Sequence, residues 1–312
     1  MARRYSRRRR PWKSRNLSDP SPTNYRRRLK IFGALMFAAA LLGAIFIWTV
    51  GGILLAPANH AVGPPPARLH AKDIQFASGS GAQVHGWLAA GQPGRGVVVL
   101  MHGIHADRRV MVARAEFLLR AGYSVLLFDF QGHGESLGRK ITFGFLEGRD
   151  ATAAVQFARA SFPGEKIGVI GVSMGAAAAL LAEPSLPVNA LVLESSYPTI
   201  YSATENRLVA RLGFLGKLAT PLLTCQLKLR LGVGADDLRP IVRAGNIPVP
   251  KLFVAGTVDR DTTLSESRAL FAAAAAPREL WLVGNAAHVD LHAFARAEYE
   301  RRILEFLAKN LG

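Results

Sequence analysis

Three side chains of different types stand where they could together break an acyl bond. Ser173 lies in "GVSMG", Asp259 in "VAGTVDRDT" and His288 in "VGNAAHVDL". A serine hydroxyl is a weak nucleophile unless a base removes its proton, and a histidine oriented by a carboxylate can be that base. The three residue types therefore indicate nucleophilic attack on a carbonyl carbon, provided that the fold brings them together.

The residues around Ser173 predict how this serine is held. An apolar run over residues 166–173 precedes it, and four alanines at 176–179 follow it. A G-x-S-x-G segment between a strand and a helix is typical of a sharp turn that exposes the serine, and its neighbours must be small. We interpret Ser173 as a nucleophile on such a turn. The alternative is a small residue that merely joins a strand to a helix.

Short apolar runs separated by stretches of helical length recur after residue 69 and predict the scaffold. The expected buried strands occupy residues 97–103, 123–130, 166–173, 190–196, 251–259 and 279–285. Apolar strands that alternate with helices predict a parallel sheet covered on both faces. Two more polar runs, 71–77 and 83–89, favour an antiparallel hairpin at its edge. We expect about eight strands in one domain.

The predicted strands also place the three reactive residues. Ser173, Asp259 and His288 each follow the carboxyl end of a strand, and these ends lie along one edge of a parallel sheet. We therefore expect the three side chains to meet there. Asp261 is a second candidate for the acid because it shares a loop with Asp259, although the spacing from Gly256 favours Asp259.

The regular spacing is interrupted between residues 197 and 250. This segment contains helical stretches and no convincing strand. A helical insertion over the carboxyl edge of a sheet can serve as a lid that shapes a pocket. We expect a helical cap here, the alternative being surface decoration without a role at the site. Asp236 and Asp237 within it indicate a solvated turn.

From about residue 70 to its end, the chain resembles the alpha/beta-hydrolase superfamily. The resemblance rests on the order of Ser173, Asp259 and His288 and on "LMHGIHAD", "DFQGHGES" and "IPVPKLFVAGTVDRDT". Most relatives have Arg where Gln131 stands. The resemblance implies an α/β fold with a mostly parallel eight-stranded sheet, helices on both faces and a helical cap. Within the superfamily the chain is most similar to membrane-anchored serine hydrolases of the BEM46-like or ABHD12/13-like type.

The resemblance also implies roles for individual residues. Ser173 would attack the carbonyl carbon, His288 would accept and return its proton, and Asp259 would orient the imidazole. The backbone N–H groups of Ile104 and Met174 would bind the negative oxygen, so that their side chains are incidental. The expected activity is hydrolysis of an ester, thioester or amide in a small acyl substrate, for which a lipid-like molecule is one candidate. Acyl transfer by the same triad and a noncatalytic binding module are the alternatives.

The first 69 residues predict a membrane anchor. Residues 1–30 carry twelve Lys or Arg and one acidic residue, Asp19, while residues 31–56 carry no charge. As a helix those 26 residues would span roughly 39 Å, against a hydrocarbon core of roughly 30 Å. We expect an uncleaved single-pass anchor with a cytoplasmic N-terminus, a Pro-rich spacer over 57–69 and an extracytoplasmic hydrolase domain over 70–312. A cleaved signal peptide is the alternative, and its cleavage site would be "APA" at 56–58.

We assign no catalytic role to the positive charge or to the remaining polar residues. The positive charge, +17 overall, is concentrated before the apolar segment, which favours a topology signal over nucleic-acid binding. No motif for a cofactor or a metal is found, and the oligomeric state is left open. Asp129 is expected to brace the Gly-rich turn, and Cys225, the single cysteine, to pack in the interior. The other polar residues near the expected site are interpreted as structural, pocket-lining or solvated: His102, His105, His133, Ser136, Asp290 and His292.

Overall fold

The computed structural model describes residues 22–312, so most of the predicted basic arm, residues 1–21, lies outside the described residues. Helix α1 (Pro22–Leu54) contains nearly all of the apolar segment expected over 31–56. Its part Tyr25–Leu54 is long and apolar enough to cross a membrane, with a mean hydropathy of 2.4, and is a candidate span. The chain divides into two units after Phe46, and the second unit contains the whole sheet.

An eight-stranded sheet forms the scaffold, as the sequence predicts. Its strands are β1 (Lys72–Ala77), β2 (Gln83–Ala89), β3 (Val97–Met101), β4 (Ser124–Phe128), β5 (Ile167–Val172), β6 (Ala190–Glu194), β7 (Lys251–Gly256) and β8 (Arg278–Val283). Their spatial order is β8-β7-β6-β5-β3-β4-β2-β1. Strand β2 pairs antiparallel with both β1 and β4, and all other neighbours pair in parallel. The hairpin therefore lies at the edge, as expected.

The core has two layers because successive side chains of a strand point to opposite faces. Along β3, Val97, Val99 and Met101 join one buried cluster, while Val98 and Leu100 join the other. The helices are α2 (Val112–Arg120), α3 (Phe145–Ser161), α4 (Met174–Leu181), α9 (Leu264–Ala273), α10 (Leu291–Phe294) and α11 (Arg296–Leu311). Helices α3, α4 and α9 contribute to the first cluster, and α2 and α11 to the second. Every residue of β3, β4, β6 and β7 is buried, as in a sheet covered on both faces.

The insertion between β6 and β7 is helical, as the sequence predicts. It comprises α5 (Ile200–Leu212), α6 (Phe214–Thr224), α7 (Gln226–Leu231) and α8 (Pro240–Ala244). Helix α5 begins after Thr199, whose side chain accepts a hydrogen bond from the N–H of Ser202. Helices α5 and α6 pack closely because Gly216 has no side chain: a Cβ there would lie 2.5 Å from the backbone of Leu208.

Two expectations differ from the structure. The segment 57–69 is not a free spacer, because Ala58–Asn59 pairs with His133–Gly134 and the side chain of Leu69 is buried. Its backbone N–H groups at Val62 and Gly63 also donate to Glu135, so the segment lies against the domain. Cys225 is exposed at the end of α6 instead of packing in the interior.

Candidate active site

Ser173 occupies a sharp turn between β5 and α4. Its backbone has φ +51° and ψ −110°, a left-handed conformation that non-glycine residues rarely adopt and that carries strain. The N–H of Ser173 donates to the carbonyl oxygen of Glu194 on β6 at 2.8 Å. This hydrogen bond between the ends of β5 and β6 fixes the turn. The serine is therefore held at the carboxyl edge of the sheet, as the G-x-S-x-G pattern predicts.

Both glycines of that pattern are required by backbone contacts. A Cβ at Gly171 would lie 2.7 Å from the backbone nitrogen of Ala176, and one at Gly175 would lie 2.5 Å from the carbonyl oxygen of Met101. Any side chain at either position would therefore collide with main-chain atoms that cannot move independently. The glycines allow α4 to start directly against β3 and β5.

Asp259 and His288 form a hydrogen-bonded pair. The Nδ1 atom of His288 lies 2.8 Å from Oδ2 of Asp259. The other oxygen of Asp259 accepts the N–H groups of Asp261 and Thr262 at 2.8 and 2.9 Å, and this aspartate side chain is 1% exposed. Because a carboxylate only accepts hydrogen bonds, Nδ1 carries a proton, and in the neutral ring the lone pair is therefore on Nε2. The pair thus presents a base at Nε2.

Asp261, the second candidate for the acid, faces the cap instead. Its Oδ2 lies 3.5 Å from Nε of Arg207 on α5. The contact with His288 is made by Asp259, so the loop divides its two carboxylates between the imidazole and the cap.

Ser173 and His288 line one cavity of about 340 Å³ at the carboxyl edge of the sheet. This volume is at the lower end of the range for small-molecule sites. The apolar part of its wall is formed by Ile104, Ala106, Val110, Met111, Val172 and Val289, and the polar part by Arg114, Glu194, Ser195, Arg207, Asp261 and Asp290. The cavity therefore offers a mostly apolar compartment beside the serine and a charged boundary toward α5.

The two expected oxyanion donors lie next to Ser173. Met174 is the first residue of α4, where backbone N–H groups have no acceptor within the helix and the helix dipole favours negative charge. Ile104 lines the cavity, and its neighbour Gly103 is so close that a Cβ there would lie 3.6 Å from the Cβ of Ser173. Two backbone segments thus flank the serine where an oxyanion would form.

His102 supports the loop that carries Ile104. Its Nε2 accepts the N–H of Phe130 at 3.1 Å, so Nδ1 is the protonated nitrogen and donates to the carbonyl oxygen of Gly103 at 2.7 Å. Burial lowers the pKa of His102 to about 4, which keeps the ring neutral. The ring of His133 packs against it with centroids 5.1 Å apart. Both histidines are fully buried, and neither lines the cavity that contains Ser173.

Asp129 braces the neighbouring Gly-rich turn, as expected. Its carboxylate accepts the N–H groups of Arg108 and Glu135 at 2.7 and 3.0 Å and pairs with the guanidinium of Arg108.

His292, interpreted as part of a solvated helix start, is instead buried, and its Nε2 lies 3.0 Å from Oε1 of Glu300.

A buried ion-pair network next to the site was not anticipated from the sequence. Arg114 on α2 contacts both oxygens of Glu194, with Nε–Oε1 and Nη2–Oε2 distances of 3.1 and 2.8 Å. Its Nη2 also lies 2.7 Å from Oδ1 of Asp290, and the hydroxyl of Tyr299 completes the cluster. The available signal was an arginine among the apolar positions of α2 and an acid at the end of an apolar strand, residues that cannot be buried unpaired.

Among residues 22–312, no group of three or more His, Cys, Asp or Glu side chains is arranged to hold a metal ion.

The order and direction of the strands and the similarity to solved structures show an alpha/beta-hydrolase fold. A family model described as serine aminopeptidase, S33 (Hydrolase_4) matches residues 92–224, which include Ser173 and end before Asp259. Two relatives are the uncharacterized proteins YqkD of Bacillus subtilis and YfhR of Salmonella typhimurium. The first is 25% identical over 74% of this chain and 77% of its own length, and the second is 25% identical over 82% and 87%.

Solved structures share the fold. The esterase Pf2001 of Pyrococcus furiosus superposes with a TM-score of 0.69 and 24% identity, covering 83% of this chain and 99% of that chain. A monoacylglycerol lipase of Paleococcus ferrophilus superposes with a TM-score of 0.53 and 23% identity, covering 72% and 98%.

Proposed function

We propose that this chain is a membrane-anchored serine hydrolase of the BEM46-like or ABHD12/13-like type that cleaves an ester bond through an acyl-enzyme on Ser173. One observation carries the proposal: His288, which is hydrogen-bonded to Asp259, lines the same cavity as a serine in a left-handed turn. The strained turn and its two glycines place Ser173 in the wall of the cavity, an arrangement that a noncatalytic module would not need.

Acylation is the first half of the proposed reaction. The Oγ of Ser173 attacks the acyl carbonyl carbon while Nε2 of His288 takes its proton, and Asp259 stabilises the imidazolium. The carbonyl oxygen becomes negative and accepts hydrogen bonds from the N–H groups of Ile104 and Met174, each worth roughly 2.7–4 kcal/mol of barrier. The carbon–oxygen bond to the alcohol then breaks, and His288 returns the proton to the departing alkoxide.

Deacylation repeats these steps with water. His288 takes a proton from a water molecule, the hydroxide forms a bond to the acyl carbon, and the serine oxygen leaves with the proton from Nε2. The products are a carboxylic acid, an alcohol and the regenerated Ser173. An amine or a thiol in place of the alcohol would give amidase or thioesterase chemistry on the same groups.

The choice of an ester rests on the relatives. The structural neighbours named above are called an esterase and a monoacylglycerol lipase, whereas the matching family model carries the name of an aminopeptidase. A largely apolar cavity wall beside Ser173 suits an acyl chain. Amide cleavage is the second candidate, and the family description is the observation that favours it.

The anchoring part of the proposal rests on α1. The candidate span Tyr25–Leu54 follows a basic segment, and positive charge is retained on the cytoplasmic side of a membrane. The hydrolase domain would then lie on the extracytoplasmic side, close to lipid.

Turnover by the full-length chain in detergent micelles tests the activity. We expect hydrolysis of p-nitrophenyl esters with a preference among acyl chain lengths, and much slower cleavage of aminoacyl p-nitroanilides. Ser173→Ala should abolish ester turnover, while Ser196→Ala, a second buried serine outside the cavity wall, should retain it. Faster release from the anilides would favour the amidase, and no turnover of either class by folded protein would reject the hydrolase.

A further inference from the structure

The cap helix α6 exposes large apolar side chains on the face opposite its buried one. One face, with Gly216, Thr220, Leu223 and Thr224, is buried against the protein. The opposite face presents large apolar side chains to solvent: Phe214 (72% exposed), Leu215 (63%), Leu218 (56%) and Leu222 (54%). Four large apolar side chains grouped on the solvent face of a helix are normally covered by protein or by lipid. The exposed face of α6, defined by these four residues, therefore needs a partner.

The next helix, α7, packs against the end of the candidate membrane span. Nε2 of Gln226 donates to the carbonyl oxygen of Ile47 at 3.3 Å, and the guanidinium of Arg230 donates to that of Trp48. The same guanidinium lies 3.8 Å from the centre of the Trp48 ring. Gly51 allows this approach, since a Cβ there would lie 2.5 Å from Oε1 of Gln226. Two polar side chains thus fasten the cap to the last two turns of α1.

This attachment holds the cap next to Trp48, a residue type that is common at membrane surfaces. Tryptophan is enriched at the membrane–water interface, and Trp48 lies six residues before the end of α1. Helix α7 starts two residues after α6 ends, and the 11 residues of α6 extend over roughly 16 Å. Helix α6 therefore directly precedes the helix that contacts Trp48, and its exposed face lies close to that contact along the chain.

The net charge of helices α5 to α7 suits the same partner. Residues 200–231 contain one acidic side chain, Glu205, and five basic ones: Arg207, Arg211, Lys217, Lys228 and Arg230. Basic residues around an apolar helix face are typical of helices that lie in the interface of a membrane with anionic lipids.

We propose that α6 lies in the plane of the membrane interface, with its exposed face in contact with the acyl chains of a lipid bilayer. The inference rests on the proposed membrane anchoring by α1. Helix α5, which packs on α6, supplies Arg207 to the wall of the catalytic cavity, so the bound cap holds that cavity at the lipid surface. An amphipathic ester could then pass between bilayer and cavity without crossing water.

Cys225 makes a direct test possible because it is the only cysteine of the chain and is exposed next to α6. The full-length protein would be labelled there with an NBD fluorophore and reconstituted in vesicles of phosphatidylglycerol and phosphatidylethanolamine containing doxyl-labelled lipid. A Leu218→Cys, Cys225→Ser chain labels the centre of the face. A Ser265→Cys, Cys225→Ser chain, labelled on the exposed side of α9, is the matched control.

We expect lipid quenching at Cys225 and at position 218 to exceed that at position 265 on the order of fivefold, since an interfacial helix buries its apolar face among acyl chains. Equal quenching at the three positions would overturn the proposal. Weak quenching together with bismaleimide cross-linking between two chains at position 218 would also overturn it and assign the face to a second copy. If the Leu218→Cys chain does not fold, the native Cys225 label alone decides.

Turnover of p-nitrophenyl butyrate by the same vesicles separates this inference from the proposed activity. Quenching without turnover would support the contact of α6 with lipid and reject the hydrolase activity. Turnover without quenching would support the hydrolase activity and reject the contact of α6 with lipid.

Discussion

The Nη2 atom of Arg114 lies 2.7 Å from Oδ1 of Asp290, two residues beyond His288. The same guanidinium donates to both carboxylate oxygens of Glu194. The backbone carbonyl of Glu194 accepts the N–H of Ser173 at 2.8 Å. One buried cation therefore connects the strand that fixes the serine to the loop that carries the histidine. The positions of the proposed nucleophile and its base depend on a residue that need not touch substrate.

Replacing Arg114 should cost both stability and activity. Arg114→Met would leave the buried carboxylate of Glu194 unpaired, which typically destabilises a protein by about 3–5 kcal/mol. Urea unfolding of the full chain would measure this loss, and kcat for a soluble ester should fall with it. Arg120→Met on the same helix breaks only an exposed pair with Glu300 and should cost about 0–1 kcal/mol. Equal effects of the two variants would contradict the role assigned to Arg114.

The two acids of the β7 loop should differ sharply. Asp259→Asn would present an amide to His288 and favour the wrong tautomer, so we expect kcat to fall by about 10⁴-fold, as in the triad on which this mechanism is based. Asp261→Asn removes only the contact with Arg207 and should leave kcat within a small factor of the wild-type value. Steady-state ester hydrolysis compares them, and a larger loss from Asp261→Asn would reassign the acid.

The tight turn at Ser173 should not tolerate a methyl group. Gly175→Ala would place Cβ 2.5 Å from the carbonyl oxygen of Met101, so we expect a loss of about 1–3 kcal/mol of unfolding free energy or more, together with activity. Gly284→Ala is the control because a Cβ there meets no atom within 4 Å. Thermal unfolding of both variants provides the measurement. An unchanged melting temperature for Gly175→Ala would show that α4 can move away from β3.

His102 should make the fold sensitive to acid. Burial lowers its pKa from 6.5 to about 4. Between pH 4 and 6.5 the histidine is therefore protonated in the unfolded chain and neutral in the folded chain. Stability from this group is therefore complete above pH 6.5 and is lost as the pH falls, by up to about 3 kcal/mol near pH 4. His102→Gln should lose less stability than the wild type between pH 7 and 4 in urea titrations. Parallel pH profiles would contradict this assignment.

The sheet and the reactive residues could be predicted because their signals are local. About fifteen residues contain the whole signal: the apolar run over 166–173 predicts the strand, and the glycines around Ser173 predict the turn and the start of α4. Asp259 and His288 could be placed because both follow predicted strands, and parallel strands end on one edge. The hydrogen bond between them agrees with that placement.

The features that were missed depend on partners distant in the sequence. The pairing of Arg114 with Glu194 joins α2 to β6, and no periodicity in either segment indicates it. The segment 57–69 reads as a spacer by composition, yet its backbone pairs with residues 133–134, more than 70 positions away. The exposure of Cys225 and of the outer face of α6 follows from how the cap helices pack, which an apolar composition alone does not specify.

Labelling with a fluorophosphonate probe tests the central claim, that Ser173 is an activated nucleophile. The full-length protein and its Ser173→Ala variant would be treated in parallel, and the modified peptide would be located by mass spectrometry. We expect one adduct, on Ser173, that forms in the wild type, is absent from the variant and forms much more slowly in Asp259→Asn. An adduct on another serine, or no adduct on a wild-type chain shown to be folded by its thermal unfolding transition, would contradict it.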